Sequence, residues 1–201
     1  THNCIRNFPL QKGVFTQISN LGKILERTLE YVTFNWKVDI LICGVGGQGI
    51  LLCSNIIGIA GIEEGFSVRG TEIHGMSQRG GSVEAHIRLN CNYGPQIPYG
   101  KGDILIGFEP LEAARYSNYL KENGICVVNS YKIPIIGYEY DEKEIIKIIK
   151  RKTDKIYIEN FTEKSKELGY VRCLNILMLG FASNFIPIKE ESFIKAINMY
   201  V

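Results

Sequence analysis

A short apolar run near residue 40 breaks directly into a glycine-rich loop, and an apolar stretch with helical character follows it. Residues 38–49 read VDILICGVGGQG, in which Gly44, Gly46 and Gly49 fit the pattern G-x-G-x-x-G. Glycines let the backbone turn sharply there, and the amides at a helix N-terminus favour a bound anion. The spacing therefore predicts a strand, an anion-compatible turn and a helix in succession.

Strand-like and helix-like segments alternate along the chain after this point. Predicted strands cover residues 38–43, 67–72, 82–89, 103–107, 124–128 and 155–158, and predicted helices cover residues 50–64, 110–120, 142–152, 173–185 and 191–199. This order predicts a three-layer α/β/α fold with a largely parallel sheet and a Rossmann-like glycine loop after the first strand. Residues 82–89 alternate in polarity, which predicts one packed and one polar face and is compatible with antiparallel pairing.

Composition excludes several classes of protein. The 201 residues are 45% hydrophobic and 22% charged, which is enough chain for one sizeable core. A net charge of +2 gives no reason to expect nucleic acid. No apolar run approaches the roughly 20 residues that span a bilayer, and no secretion signal is visible. The six cysteines show no C-x-x-C spacing, so we expect free thiols, no metal site and a cytoplasmic protein.

Residues 1–37 do not follow the alternation and are treated as an N-terminal extension of unclear role, with one plausible amphipathic helix near residues 21–31. The chain lacks a methionine at position 1 and ends within or just after a predicted helix. These features predict a fragment, a domain of a longer protein, or an unusual leader; N-terminal processing is the simple alternative. The folded domain is expected over residues 38–201.

A second block, HGMSQRGGS at residues 74–82, is not required by nucleotide-binding folds. Arg79 can pair in bidentate fashion with a carboxylate or phosphate, or with an acidic residue of a partner. His74 is a candidate proton carrier, although a lone histidine is more often structural. Glu109, at the start of a predicted helix, is expected to cap it, and contact with a ligand or partner is the alternative. No nucleophile, base and orienting group are recognisable as a set, so no catalytic residue is assigned.

Four ordered blocks resemble one known family. The blocks GVGGQGI, EIHGMSQRGGSVEAHIRL, GDILIGFEPLEAARY and VVNSYKIP begin at Gly44, Glu72, Gly102 and Val127. Together they resemble the gamma-type domain of the 2-oxoacid:ferredoxin oxidoreductases. HGMSQRGGS is similar to the version in the small subunit of the indolepyruvate (arylpyruvate) branch. A later NILMLG, at residues 175–180, is similar to the family's C-terminal helix.

The resemblance implies an activity that belongs to a complex. A 2-oxoacid and coenzyme A would become an acyl-CoA and carbon dioxide, with ferredoxin accepting the electrons. Thiamine diphosphate and iron–sulfur clusters are expected on a large partner subunit, so this chain would bind no cofactor itself. Residues expected to complete the active site or contact the partner are His74, Met76, Gln78, Arg79, Gly80 and Gly81.

The glycine loop has two interpretations with similar support. It either cradles coenzyme A or another anion, or only packs a strand against a helix. The residues expected in such a cradle are Gly44, Gly46, Gly47, Gln48 and Gly49. Glu72 lies near the place of the acidic residue in a dinucleotide site, so a free-standing NAD- or FAD-binding enzyme or sensor is the alternative function.

Overall fold

One mixed sheet of six strands forms the centre of the protein. The computed structural model describes residues 36–77, 79–134, 140–170 and 173–200. Its strands are β1 (Val38–Val45), β2 (Val68–His74), β3 (Ser82–Leu89), β4 (Gly102–Gly107), β5 (Leu120–Asn129) and β6 (Ile156–Glu159). Their spatial order is β2-β3-β1-β4-β5-β6. The pairs β1–β4, β4–β5 and β5–β6 are parallel, whereas β3 pairs antiparallel with both β1 and β2.

Helices cover both faces of this sheet, which confirms the predicted three-layer α/β fold. They are α1 (Ile50–Glu63), α2 (Pro110–Tyr116), α3 (Glu142–Lys150), α4 (Phe161–Glu167), α5 (Leu174–Ala182) and α6 (Glu190–Met199). Side chains alternate along β1, so Ile40 and Ile42 lie in the core beneath α1, α5 and α6. Leu41 and Cys43 lie in the second core, with α2 and α3.

The first helix ends as its sequence predicts. Gly65 has a φ of 84°, a left-handed conformation in which glycine meets no Cβ penalty. Its amide bonds the carbonyl of Ile62, and the amide of Phe66 bonds the carbonyl of Gly61. This pair of bonds is a Schellman motif, and it satisfies carbonyls that the helix would otherwise leave open.

Besides small shifts in the ends of elements, the structure differs from the sequence predictions in three places. The helix expected over residues 110–120 ends at Tyr116, because a 3-10 turn over Ser117–Tyr119 leads into β5 four residues earlier than expected. The short helix α4 was not predicted. It begins where the side chain of Asn160 accepts a hydrogen bond from the amide of Glu163.

The polar face of β3 is the third difference. Its pattern correctly indicated alternating faces, and the antiparallel pairing is confirmed, but both faces are buried. Arg88 donates two hydrogen bonds to the carboxylate of Asp39 on β1, and His86 accepts one from the amide of Ile97. Partners from β1 and from the loop after β3 therefore let polar side chains occupy the interior.

The predicted extension cannot be compared beyond its last residues, because residues 1–35 lie outside the described part of the chain. That region includes the helix expected near residues 21–31. Among the described helices, none is both long enough and apolar enough to cross a membrane.

Candidate functional site

The glycine loop lies where two neighbouring parallel strands send their helices to opposite faces of the sheet. β1 continues through the loop into α1 on one face, and β4 continues into α2 on the other. Ligands in open α/β sheets bind in the crevice outside the carboxyl ends of strands at such a switch point. The fold therefore places the sequence-predicted loop at the position where this class of sheet most often binds a ligand.

The side chain of Gln48 crosses this crevice and joins its two walls. Its Oε1 accepts a hydrogen bond from the amide of Val45, 2.7 Å away, and its Nε2 donates to the carbonyl of Phe108 at 3.1 Å. The same carbonyl accepts a second bond from Nδ2 of Asn129, which is fully buried. Both polar ends of the Gln48 amide are therefore used inside the protein.

Sequence reasoning did not single out Asn129, although it lies in the VVNS block. Its signal is an amide side chain directly after the apolar residues of β5. Asn129 also exchanges hydrogen bonds with Thr162, at the start of α4. These hydrogen bonds connect the carboxyl end of β5, a third parallel strand, to the same crevice.

Glycine occupies the positions of this loop for different physical reasons. A Cβ on Gly44 would lie 2.6 Å from Oε1 of Gln48 and 2.7 Å from Cβ of Phe108. A Cβ on Gly49 would lie 2.6 Å from Nδ2 of Asn175. Gly47 differs, because its missing Cβ faces open space and only its φ of 104° favours glycine there. Close packing therefore explains why Gly44 and Gly49 have no side chain. Gly47 forms the exposed turn of the loop.

The first turn of α1 begins without a side-chain cap. Gly49 is the N-cap residue in a left-handed conformation and has no side-chain oxygen to offer the following amides. By contrast, Asp141 caps α3 and Glu109 caps α2 with a carboxylate oxygen. An anion near Gly47 and Gly49 would meet an uncapped helix end, where the helix dipole favours negative charge.

The second motif lies beside the first. Residues 74–82 connect β2 to β3, since His74 ends one strand and Ser82 begins the other. The amide of Gly46 donates to the carbonyl of Gly81 at 2.8 Å, and the amide of Gly80 donates to the carbonyl of Gly46 at 3.3 Å. Two motifs separated by about thirty residues of sequence are therefore hydrogen-bonded into one surface, which we call the two-loop surface (residues 46–49 and 74–81).

The larger side chains of the two-loop surface face outward. Met76 is fully exposed, and His74 and Arg79 are exposed as well. Nδ1 of His74 lies 2.9 Å from the carbonyl of Gly75, so this ring nitrogen is engaged within its own loop. Gln78 lies outside the described residues. The exposed side chains are placed to contact another molecule, while the glycines hold the backbone beneath them.

Buried polar contacts anchor the two-loop surface to α2. The hydroxyl of Ser82 donates to the carboxylate of Glu112 and lies 2.9 Å from the hydroxyl of Tyr116. Burial raises the pKa of Tyr116 above its usual value, so this phenol stays protonated near neutral pH. Ser82 thus has two fixed partners at the point where the loop enters the sheet.

Glu109 is the helix cap that its position predicted. One carboxylate oxygen accepts the amide of Glu112 at 3.0 Å, and the other accepts the hydroxyl of Tyr140. Burial, and then the hydrogen bond to Glu109, raise the pKa of Tyr140, so this phenol remains a donor. Contact of Glu109 with a ligand or a partner stays a prediction.

Three buried thiols near the sheet are not activated as nucleophiles. Burial raises the pKa of the thiols of Cys43, Cys53 and Cys126 well above the usual range, and thiols in that state are poor nucleophiles. Within the described part of the chain, no three metal-ligating side chains converge to hold a metal ion. The arrangement is suited to binding and positioning.

The topology disfavours the dinucleotide alternative. In a dinucleotide-binding sheet the acidic residue ends a strand that is paired directly with the first strand. Here β3 separates β2 from β1. Glu72 accepts a hydrogen bond from Ser54 on α1 at 2.9 Å.

Comparison with known proteins shows to which family a chain with this fold and these two motifs is related. The family model described as pyruvate ferredoxin/flavodoxin oxidoreductase matches residues 39–201. The chain belongs to this family. It is 37% identical over 175 residues to the indolepyruvate oxidoreductase subunit IorB of Thermococcus kodakarensis, covering 82% of this chain and 87% of that protein.

Other relatives agree in sequence and in fold. The IorB subunit of Pyrococcus horikoshii is 39% identical over 152 residues, which cover 72% of this chain and 75% of the relative. The gamma subunit of keto/oxoacid ferredoxin oxidoreductase from Geobacter sulfurreducens has a similar structure. Its TM-score is 0.60 at 21% identity, over 82% of this chain and 86% of that one. The resemblance inferred from four sequence blocks is confirmed.

We predict that Gln48→Ala destabilises this family member by about 1–3 kcal/mol, because it leaves the amide of Val45 without its partner and removes one of the two hydrogen bonds to the carbonyl of Phe108. Urea denaturation of the full chain measures the change. Asn55→Ala is the matched control, since it removes an amide from an exposed position on α1 and should change stability by less than about 0.5 kcal/mol. Equal stability of the Gln48 variant and wild type would contradict the bracing role.

Proposed function

We propose that this chain is the small subunit of a 2-oxoacid:ferredoxin oxidoreductase, and that its 2-oxoacid is indolepyruvate or a related arylpyruvate. The observation that carries the proposal is the kinship with IorB subunits, which extends through both motifs of the two-loop surface. The complex would convert a 2-oxoacid and coenzyme A to an acyl-CoA and carbon dioxide, passing two electrons to ferredoxin.

The large subunit would hold the redox and decarboxylation machinery. Thiamine diphosphate would stabilise the carbanion formed on decarboxylation, and iron–sulfur clusters would carry the electrons. Burial raises the pKa of the Cys43 thiol, and the described residues of this chain bring together no three side chains that could hold a metal ion. We assign to this chain the tasks of binding, orienting and excluding water, in a cytoplasmic complex that reaches ferredoxin through the partner.

The two-loop surface is the part of the chain proposed to complete the active site. Methionine and arginine are enriched in protein interfaces, and both are exposed here on a backbone fixed by hydrogen bonds. Arg79 would pair with a carboxylate of the partner or of the substrate. The exposed Gly47 and the uncapped first turn of α1 would receive an anionic part of coenzyme A.

Turnover tests the subunit assignment directly. The pure chain should not reduce a viologen dye with indolepyruvate and coenzyme A. Its complex with a large thiamine- and cluster-containing subunit should do so. Robust turnover by the pure chain would refute the assignment. Tightly bound flavin or NAD, detected by absorbance and mass spectrometry, would favour the dinucleotide alternative instead.

Arg79→Ala should weaken assembly with the large subunit by about tenfold or more, as expected for an arginine at the centre of an interface. The fold should be unaffected, because the side chain of Arg79 is exposed. Surface plasmon resonance gives the affinity, and a melting curve gives the stability. Arg151→Ala, an exposed arginine at the end of α3, is the control. Unchanged assembly and unchanged rate in the Arg79 variant would show that this surface has another role.

Gly47→Asn tests the coenzyme A loop, because asparagine tolerates positive φ better than other side chains and Cβ has open space here. We expect the assembled complex to show a Michaelis constant for coenzyme A raised about tenfold. The constant for the 2-oxoacid should stay near wild type. Gly169→Asn, at another exposed turn with φ of 77°, controls for backbone strain. A normal constant for coenzyme A in the folded Gly47 variant would leave the loop with a packing role only.

A further inference from the structure

A cavity lies between β3, the end of α2 and the loop that follows β3. Its volume is about 640 Å³, and its lining includes Glu84, Tyr99, Tyr116 and Tyr119, with Arg115 and Lys152. Glu84 and Tyr119 are buried, whereas Tyr99, Arg115 and Lys152 are exposed. The cavity thus has a buried carboxylate and aromatic ring inside, and two cationic side chains toward solvent.

One buried oxygen of the Glu84 carboxylate has no hydrogen-bond partner in the described part of the chain. Among the described residues, neither Oε2 of Glu84 nor Nε2 of His86 makes a hydrogen bond, although both atoms are buried. Nδ1 of His86 accepts the amide of Ile97, so Nε2 carries the proton of a neutral ring. That nitrogen lies 3.7 Å from Oε2 of Glu84, beyond hydrogen-bond distance. A carboxylate buried in this way is costly unless a cationic donor reaches it.

Aromatic rings surround the approach to Glu84. The ring centroids of Tyr99 and Tyr119 are 4.4 Å apart, and those of Tyr116 and Tyr119 are 6.2 Å apart. Burial is the main cause that raises the pKa of Tyr119 to about 12, so its ring stays neutral near pH 7. Neutral tyrosine faces attract ammonium groups within about 6 Å of the ring centroid.

A metal ion does not fit this position. Glu84 and His86 are two ligands at most, and no group of three His, Cys, Asp or Glu suited to a metal occurs in the described ranges. Arg115 and Lys152 would also repel a metal at the mouth of the cavity. Arg115 is held there by the carboxylate of Glu112, at 3.0 Å. The same two cations are suited to the carboxylate of an organic ligand.

We propose that this cavity binds a free amino acid with an aromatic or other apolar side chain. The ammonium group bonds the carboxylate of Glu84, the side chain packs against the tyrosine rings, and the carboxylate lies near Arg115 and Lys152. This site is separate from the crevice assigned to coenzyme A and does not depend on the proposed function. An amino acid is distinguished there from its 2-oxoacid by the ammonium group alone.

Calorimetric titration of the full-length chain with three matched probes tests the site: L-phenylalanine, phenethylamine and phenylpyruvate. L-Phenylalanine should bind most tightly, phenethylamine more weakly, and phenylpyruvate not measurably. Binding of phenylpyruvate equal to that of phenylalanine would overturn the proposal. So would the absence of binding by all three probes, the result expected if a side chain of a partner fills the cavity.

Variants separate the site from adventitious binding. Glu84→Gln should weaken binding of L-phenylalanine about 10- to 100-fold, since it removes a charge-assisted hydrogen bond. Glu122→Gln, on the exposed part of β5, is the matched control and should leave binding unchanged. Lys152→Ala, on the surface, should weaken the binding of L-phenylalanine about two- to fivefold and should leave the binding of phenethylamine unchanged. Because Lys152 is exposed, this result decides the proposal even if the Glu84 variant fails to fold; equal effects on both probes would overturn it.

Discussion

The amide of Gln48 holds together the carboxyl ends of two parallel strands that send their helices in opposite directions. Its two hydrogen bonds, to Val45 and to Phe108, close the crevice from inside. The approach is tight, because a Cβ at Gly44 would collide with both Gln48 and Phe108. Gly44 and Gln48 therefore act together, and the shape of the crevice at the switch point depends on both residues.

The packing of Gln48 against Gly44 also sets the position of the second motif, residues 74–82. Gly46 lies within the braced turn and bonds both Gly80 and Gly81, so the connection between β2 and β3 is held against the glycine loop. Ser82 fixes the other side of the connection through Glu112 and Tyr116. Hydrogen bonds thus hold the glycine backbone near the exposed Met76 and Arg79, which suits the partner-facing role proposed for this surface.

Much of the fold could be predicted because each local pattern agreed with the tertiary arrangement. The apolar run of β1, the glycine end of α1 and the acidic start of α2 each have a local physical cause in their own residues. The exceptions have tertiary causes. β3 was expected to show a polar face, and Asp39 and Ile97 supply the partners that bury it. Helix α4 was missed because it is only seven residues long, too short for periodicity to show.

The sequence by itself determined the α/β class, the place of the glycine loop and, through four ordered motifs, the family. Those features depend on residue types at short spacing, and short spacing is visible along a chain. Only the tertiary structure decided that the two motifs touch, that Gln48 turns inward, and that one buried oxygen of Glu84 has no hydrogen-bond partner among the described residues. These facts arise between segments far apart in sequence, where strand order and side-chain direction determine which groups meet.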